Sequence, residues 1–403
     1  MPDFLPFRGT RYRDLPDSSR VVAPPYDVID EEDRSRLEAT DPHNAVRLIL
    51  PRVDPPADPY DHAASLLQSW IEAGVLTADP GPAFYEYRMR FTDAAGHARQ
   101  TSGVIGALVL PDGDGDVFGH ERTLPKARSD RLALLRATRA NLDPIWGLSL
   151  TDDLNSALDP DRAPTTTATD ATGTRHELTL ITDPDTQRRV RVAVASTPVV
   201  LADGHHRFET ACAYRAEHPD DPDARAIMAF VVGLDDELLD VRAIHRVVQQ
   251  APRDLHARVD GLVTSEDLGP NTPDGVRDLT VQMTARRGLG LVSRDGLTLM
   301  VPTLAGLERI NRELPEELRE VDSARFDTLV RPALDDAELS YRDDALTVAS
   351  MVEKGAADLA VLLRPVTVAQ IRAAAFARLR MPEKTSYFAP KPRTGMVFRR
   401  LDD

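Results

Sequence analysis

The stretch Val199-Val200-Leu201-Ala202-Asp203-Gly204-His205-His206-Arg207-Phe208-Glu209 decides the reading of this chain. Its apolar run predicts a short buried strand. The strand ends at Asp203-Gly204, a sharp-turn dipeptide, and a helix is expected from Arg207 to about Glu217. A strand, a glycine turn and a helix start bring free backbone N–H groups and the positive end of a helix dipole to one point. Such a point receives an anion, and His205, His206 and Arg207 add donors and charge to it. On an extended backbone the adjacent histidines would point to opposite sides. That makes them poor co-ligands for one metal, so one is expected to face the site while the other packs or orients it.

At 403 residues the chain exceeds one typical domain. A core with insertions is expected over 1–251, an accessory lobe over 252–350, and a final segment, 351–403, that returns to the core. The formal charge of −16 repels nucleic acid and anionic membranes, so neither is an expected partner. The single cysteine, Cys212, excludes an internal disulfide framework and a multi-cysteine zinc site. It is read as a small core residue of the helix after the turn. No run approaches about eighteen apolar residues, and the start lacks a basic region followed by an apolar one, so a cytoplasmic protein is expected.

Elsewhere the prolines of Val21-Val22-Ala23-Pro24-Pro25-Tyr26-Asp27 impose an extended backbone. Asp30 is placed to cap a helix over 31–39. A second helix is expected over 60–75, stopped by Gly74, and strands over 83–91 and 102–110. Asp112-Gly113-Asp114-Gly115-Asp116 resembles the start of a calcium loop, but Thr123 stands where the bidentate glutamate belongs, and a solvated turn is the better reading. Gly119-His120-Glu121-Arg122-Thr123-Leu124-Pro125-Lys126 is a second polar cluster, followed by a helix capped by Ser129. Residues 160–174 read as a loose turn, 176–200 as strands, 240–248 as one buried strand, and His245-Arg246 as its solvated end. Thr367 with Gln370 forms a capping box for a helix towards Arg380. The tail carries Lys384-Thr385-Ser386.

The common nucleotide, metalloprotease and serine-hydrolase signatures are missing. An anion turn, a carboxylate on a rigid Pro-Pro arm (Asp27) and a Lys-Thr-Ser donor set suit phosphoryl transfer. That chemistry needs positioning, charge neutralisation and a base near the acceptor hydroxyl.

Asp203-Gly204-His205-His206-Arg207 resembles the signature of the ParB/sulfiredoxin-like superfamily, in the form carried by free L-serine kinases. The resemblance implies an α/β fold with a mixed sheet, a donor whose phosphates lie on Asp203, Gly204, His205, His206 and Arg207, and a base at Asp27, which follows the Pro25-Tyr26 pair. It also implies a C-terminal contact set at Lys384, Thr385 and Ser386. Near its full length the chain, with Pro24-Pro25-Tyr26-Asp27-Val28-Ile29 and His120-Glu121-Arg122-Thr123, is similar to a large bacterial family of unknown function in the same superfamily. Sulfiredoxin chemistry is excluded because His205 replaces the required cysteine. DNA segregation is excluded by the acidity and by the strands expected after Ala226.

The expectation is a kinase that phosphorylates L-serine to O-phosphoserine. His205 or His206 would stabilise phosphate charge, Glu121 would meet the acceptor's ammonium, and Lys126 or Arg131 its carboxylate. No adenine-binding signal is evident and Arg207, Lys384, Lys391 and Lys126 form a basic set, so inorganic diphosphate is favoured over ADP or ATP, with magnesium as counter-ion. A sensor that binds a nucleotide or phosphate metabolite without turnover, or a kinase of another small alcohol, is the alternative.

Overall fold

The structure, a computed structural model, describes residues 1–93, 96–111, 115–119, 128–151, 153–159, 162–235, 239–252 and 254–401. Residues 112–114 of the acidic glycine run and the whole of His120–Lys126 lie outside them. The chain divides into two compact units. The first holds 1–119, 123–240 and the tail 390–403; the second holds 241–389. The fold is mixed α/β, as expected.

In the first unit, nine strands among the described residues form one mixed sheet. They are β1 (Phe4–Leu5), β2 (Phe84–Thr92), β3 (Ala98–Val109), β4 (Val117–Gly119), β5 (Ile145–Ser149), β6 (Thr166–Thr169), β7 (Arg175–Ile181), β8 (Val199–Asp203) and β9 (Ala226–Gly233). Their order is β4-β8-β5-β9-β3-β2-β7-β6, with β1 beside β3. The pairs β8/β4 and β9/β5 are parallel and the others antiparallel. The interior strands are almost wholly buried: every residue of β5 and β9 is inside, as their unbroken apolar runs require.

Helices α1 (Glu31–Thr40), α2 (Pro59–Glu72), α3 (Arg128–Thr138), α4 (Pro184–Ala195) and α5 (His205–Glu217) belong to this unit. Asp30 caps α1 by accepting the Asp33 N–H at 2.8 Å. Val190, Ala193 and Val194 of α4 and Ala211 of α5 join Phe4, Phe84, Val104, Ile145, Val199, Leu201 and Val231 in one core, against which Cys212 packs partly buried.

Three expectations need correction here. The loose turn at 160–174 contains β6, an edge strand paired with β7 at Thr166–Leu178; its threonines favour strand over turn. The strands expected over 176–200 are interrupted by α4. Asp183 caps that helix, accepting from the Thr186 N–H (2.8 Å) and hydroxyl (2.7 Å), Pro184 opens it, and its apolar positions recur at helical spacing. Helix α5 begins at His205 rather than Arg207, so the two histidines lie on a helical first turn and not on opposite sides of a strand.

The second unit carries a six-stranded sheet in the order Val263–Asp267, Gly296–Pro302, Leu289–Ser293, Leu359–Leu362, His245–Gln249, Glu338–Arg342, every pairing antiparallel. Side chains alternate between two cores. Val248, Leu291 and Val361 pack with Ile310, Phe326 and Leu329. Their neighbours Val247, Val292 and Leu362 pack with Leu279, Met283 and Val348. The run 240–248 is two strands, Asp240–Ala243 and His245–Gln249, rather than one.

His245 and Arg246 are not solvated: they are 5% and 2% exposed. Burial lowers the His245 pKa to about 4, and Nδ1 accepts the Leu363 N–H at 3.2 Å. The Arg246 guanidinium lies over the Tyr341 ring at 5.3 Å and donates to the carbonyls of Ile244 (2.6 Å), Lys384 (2.7 Å) and Glu383 (3.1 Å). No described helix is long and apolar enough to cross a membrane.

Two substitutions test this account. Asp183→Ala removes the cap of α4 and should lower urea-derived stability by about 1 kcal/mol; an unchanged midpoint would mean that the cap contributes nothing. Gly204 has φ +85°, and a Cβ there would stand 2.9 Å from Ile145 Cγ2. Gly204→Ala should therefore cost about 1–2 kcal/mol in the same measurement, and a neutral result would contradict the left-handed turn.

Candidate functional site

The turn at Asp203 is built by the sheet. Strand β8 pairs with β5 in register as far as Leu201–Gly147, and the register then shifts so that Asp203 faces Trp146. This bulge re-aims the strand end, a device common beside functional sites. Gly204 then turns the chain in a left-handed conformation open to glycine. As the residue preceding α5, Gly204 offers no capping side chain to the helix's leading N–H groups.

A line of alternating charges runs through the turn. Lys391 Nζ donates to Asp203 Oδ1 at 2.7 Å and to Asp27 Oδ2 at 3.2 Å. Asp203 Oδ2 accepts from Arg207 Nη2 at 2.8 Å. Arg207 Nη1 donates to the Asp143 carboxylate and, at 2.7 Å, to the Pro144 carbonyl. The sequence of groups is therefore Asp27, Lys391, Asp203, Arg207, Asp143.

Electrostatics follow from this order. Burial opposes the Asp203 charge, but Lys391 and Arg207 outweigh it and hold the carboxyl at about 2. The stabilisation from that charge is present above the ordinary carboxylate range and is lost only as pH falls towards 2. Burial pushes Asp143 up, against Arg207 and Arg131. Burial likewise works against the Arg207 cation, yet Asp143, Asp203 and Asp27 raise its pKa.

Asp27 reaches this line through backbone pairing of the two chain ends. The Ala23 N–H donates to the Thr394 carbonyl at 3.0 Å, and the Thr394 N–H returns the bond at 2.9 Å. In that antiparallel register the chain four residues after Ala23 meets the chain just before Thr394. Asp27 sits in a short 3₁₀ turn, Tyr26–Val28, with its side chain 42% exposed, whereas that of Lys391 is 9% exposed. Arg131 lies over the Tyr26 ring at 4.3 Å from the centroid and donates to the Ile49 carbonyl at 2.8 Å.

The structure thus brings Asp27, Asp203, Gly204, His205, His206 and Arg207 to one place and sets Arg131 beside Tyr26. It uses the Arg207 guanidinium internally: instead of pointing outwards as a free charge, it braces the turn between two carboxylates. His206 Nδ1 and Arg207 Nε are buried without a hydrogen-bond partner among the described residues. Glu121 and Lys126 lie outside the described residues. Lys384, Thr385 and Ser386 belong to the second unit. There Lys384 is exposed with φ +54°, and the buried Thr385 hydroxyl is committed to Ser323 Oγ (2.6 Å) and the Pro382 carbonyl (2.8 Å).

Asp143 was not legible as a site residue, because an Asp-Pro pair after a helix reads as a turn signal. Lys391 was legible only as one basic residue among several. Its proline neighbours, Pro390 and Pro392, were the available sign of a fixed backbone. No group of three or more His, Cys, Asp and Glu side chains among the described residues could hold a metal ion.

No curated protein matches the chain in sequence. Solved structures that resemble it include a conserved hypothetical protein from Pyrococcus furiosus, at 13% identity and TM-score 0.38, covering 72% of this chain and 93% of that one. A free serine kinase in complex with AMP aligns at 14% identity and TM-score 0.36, covering 68% and 84%. A C-terminally truncated SbnI from Staphylococcus aureus aligns at 9% identity and TM-score 0.38, covering 73% and 86%. The model of the protein family of unknown function DUF1015 matches residues 4–314. The chain belongs to that family.

Proposed function

We propose that this protein is a small-molecule kinase that transfers a phosphoryl group to the hydroxyl of free L-serine, with inorganic diphosphate favoured over ADP or ATP as the donor. One observation carries the reading: the Asp27 carboxylate and the Asp203 turn share the ammonium group of Lys391. A carboxylate on a proline-stiffened arm stands beside an uncapped helix start, which is the pairing of base and anion site that phosphoryl transfer requires. The Asp203-Gly204-His205-His206-Arg207 motif supports a ParB/sulfiredoxin-like assignment and the serine acceptor.

In this reading the donor's phosphates lie against the leading N–H groups of α5. The serine oxygen attacks the terminal phosphorus in line, and Asp27 takes its proton. The P–O bond to the leaving phosphate breaks, with the electron pair going to the leaving oxygen. His205 or His206 stabilises charge on phosphate oxygens. Arg131, stacked on the residue next to Asp27, is the described candidate for the acceptor's carboxylate. Magnesium is ordinarily held by substrate phosphates with one or two carboxylates, so the donor's own oxygens would carry most of the ion's coordination.

The test is to incubate the protein with magnesium, L-serine and each of diphosphate, ADP and ATP, and to measure O-phosphoserine. Product from one donor, reduced about 10²-fold or more in Asp27→Asn, is expected. Tight binding of a donor with no product from serine or any other small alcohol would replace the kinase by a sensor. Undiminished product from Asp27→Asn would remove Asp27 as the base.

A further inference from the structure

Lys391 stands between the two halves of the site, and its surroundings fix its stem while leaving its charge transferable. Its backbone is held on both sides. Pro390 has a locked φ, and Pro392 confines Lys391 to an extended conformation. Next along the chain, Arg393 is anchored in a buried polar cluster. Its guanidinium pairs with Asp170, and its backbone N–H donates to the Tyr87 hydroxyl at 3.0 Å. The Tyr87 hydroxyl meets His176 Nδ1 at 2.8 Å, and His176 Nε2 meets Asp170 Oδ2 at 3.2 Å. His176 and Tyr87 are fully buried. This cluster and the Ala23–Thr394 pairing pin the chain on the C-terminal side of Lys391.

The ammonium group, by contrast, sits at the end of a flexible four-carbon stem. It is shared by two carboxylates, both partly exposed: the Asp27 side chain is 42% exposed and that of Asp203 is 23% exposed. Of its two contacts, the one to Asp27 is the longer (3.2 against 2.7 Å) and the more exposed, so it is the one more readily exchanged for a stronger partner. A phosphate oxygen on the turn beside Asp203 would be such a partner.

We infer that Lys391 is a catalytic residue that pairs with Asp27 in the ligand-free protein and moves its charge onto the phosphate oxygens of a donor bound at the turn, releasing the Asp27 carboxylate to accept the acceptor's proton. The inference rests on the kinase reading. During transfer the acceptor oxygen forms the new P–O bond, the P–O bond to the leaving phosphate breaks towards the leaving oxygen, and the hydroxyl proton passes to Asp27. Lys391 keeps its three protons throughout and neutralises phosphate charge. Asp27 therefore competes with the donor for one cation, so donor binding and base release are the same event.

This competition gives opposite signs for two substitutions. The full chain is titrated calorimetrically with inorganic diphosphate and, separately, with ADP, in the absence of serine. Lys391→Met should raise Kd for the bound donor at least tenfold. Asp27→Asn should lower it severalfold, because Lys391 loses a competing partner. Lys391→Arg, which keeps the charge, should recover part of the affinity.

A wild-type protein that binds neither ligand, a Lys391→Met Kd within twofold of wild type, or weaker binding by Asp27→Asn would each overturn the inference. Circular dichroism checks that the variants fold. If Lys391→Met does not, the sign of the Asp27→Asn effect decides, since Asp27 is exposed. Affinities that follow the expected pattern without O-phosphoserine from any donor would sink the kinase reading and leave the Lys391 exchange standing. Normal O-phosphoserine production by Lys391→Met would do the reverse.

Discussion

The ammonium of Lys391 joins residues 364 and 188 positions away in sequence, Asp27 and Asp203. A largely buried lysine between two carboxylates is stable only because the carboxylates are there, and each is placed by a different part of the fold. Asp203 is delivered by the bulged end of β8, and Asp27 by an arm that pairs with the tail at Ala23–Thr394. The same tail continues through Thr10–Phe398 pairing and then pairs Arg399 and Arg400 with Asn141 and Ala140. The C-terminal segment thus acts as a strap across the first unit, and the strap carries the cation.

This arrangement explains why Arg207 does not behave as a free phosphate-binding charge. The turn contains two anions of its own, Asp143 and Asp203, and Arg207 lies between them. Removing it would take the shared cation from both carboxylates and leave the largely buried Asp143 without its ion-pair partner, a more serious loss than the loss of one ligand contact. The contact open to exchange is at the Asp27 end of the line, where the carboxylate is the most exposed of the five groups and its bond from Lys391 is the longer of the two. Structural electrostatics occupy the buried end and adaptable electrostatics the exposed end.

Much of the fold was legible because periodicity and punctuation agree. The unbroken apolar runs of β3, β8 and β9 and the caps at Asp30 and Thr367 are local signals that tertiary packing did not override. Helix α4 is hard to see in the sequence because Val190, Val192 and Val194 alternate with Arg191 and Ala193 at strand spacing, although Asp183-Pro184 marks a helix start. His245-Arg246 was misread because a charged pair at a strand end is ordinarily solvated. Here the aromatic ring of Tyr341 and three backbone carbonyls take the guanidinium inside. Within the site, the turn was visible in one continuous motif. The partnership of Asp27 with Lys391 depends on the register between the two chain ends, which no local pattern encodes.

The account stands most directly on the coupling between Lys391 and Asp203. A double-mutant cycle with Asp203→Asn and Lys391→Met, read by urea unfolding, measures it without reference to any substrate. The account predicts a coupling of about 1–3 kcal/mol, as for a largely buried charge-assisted hydrogen bond. Effects that add to within about 0.5 kcal/mol would contradict it, because the two groups would then stabilise the fold independently.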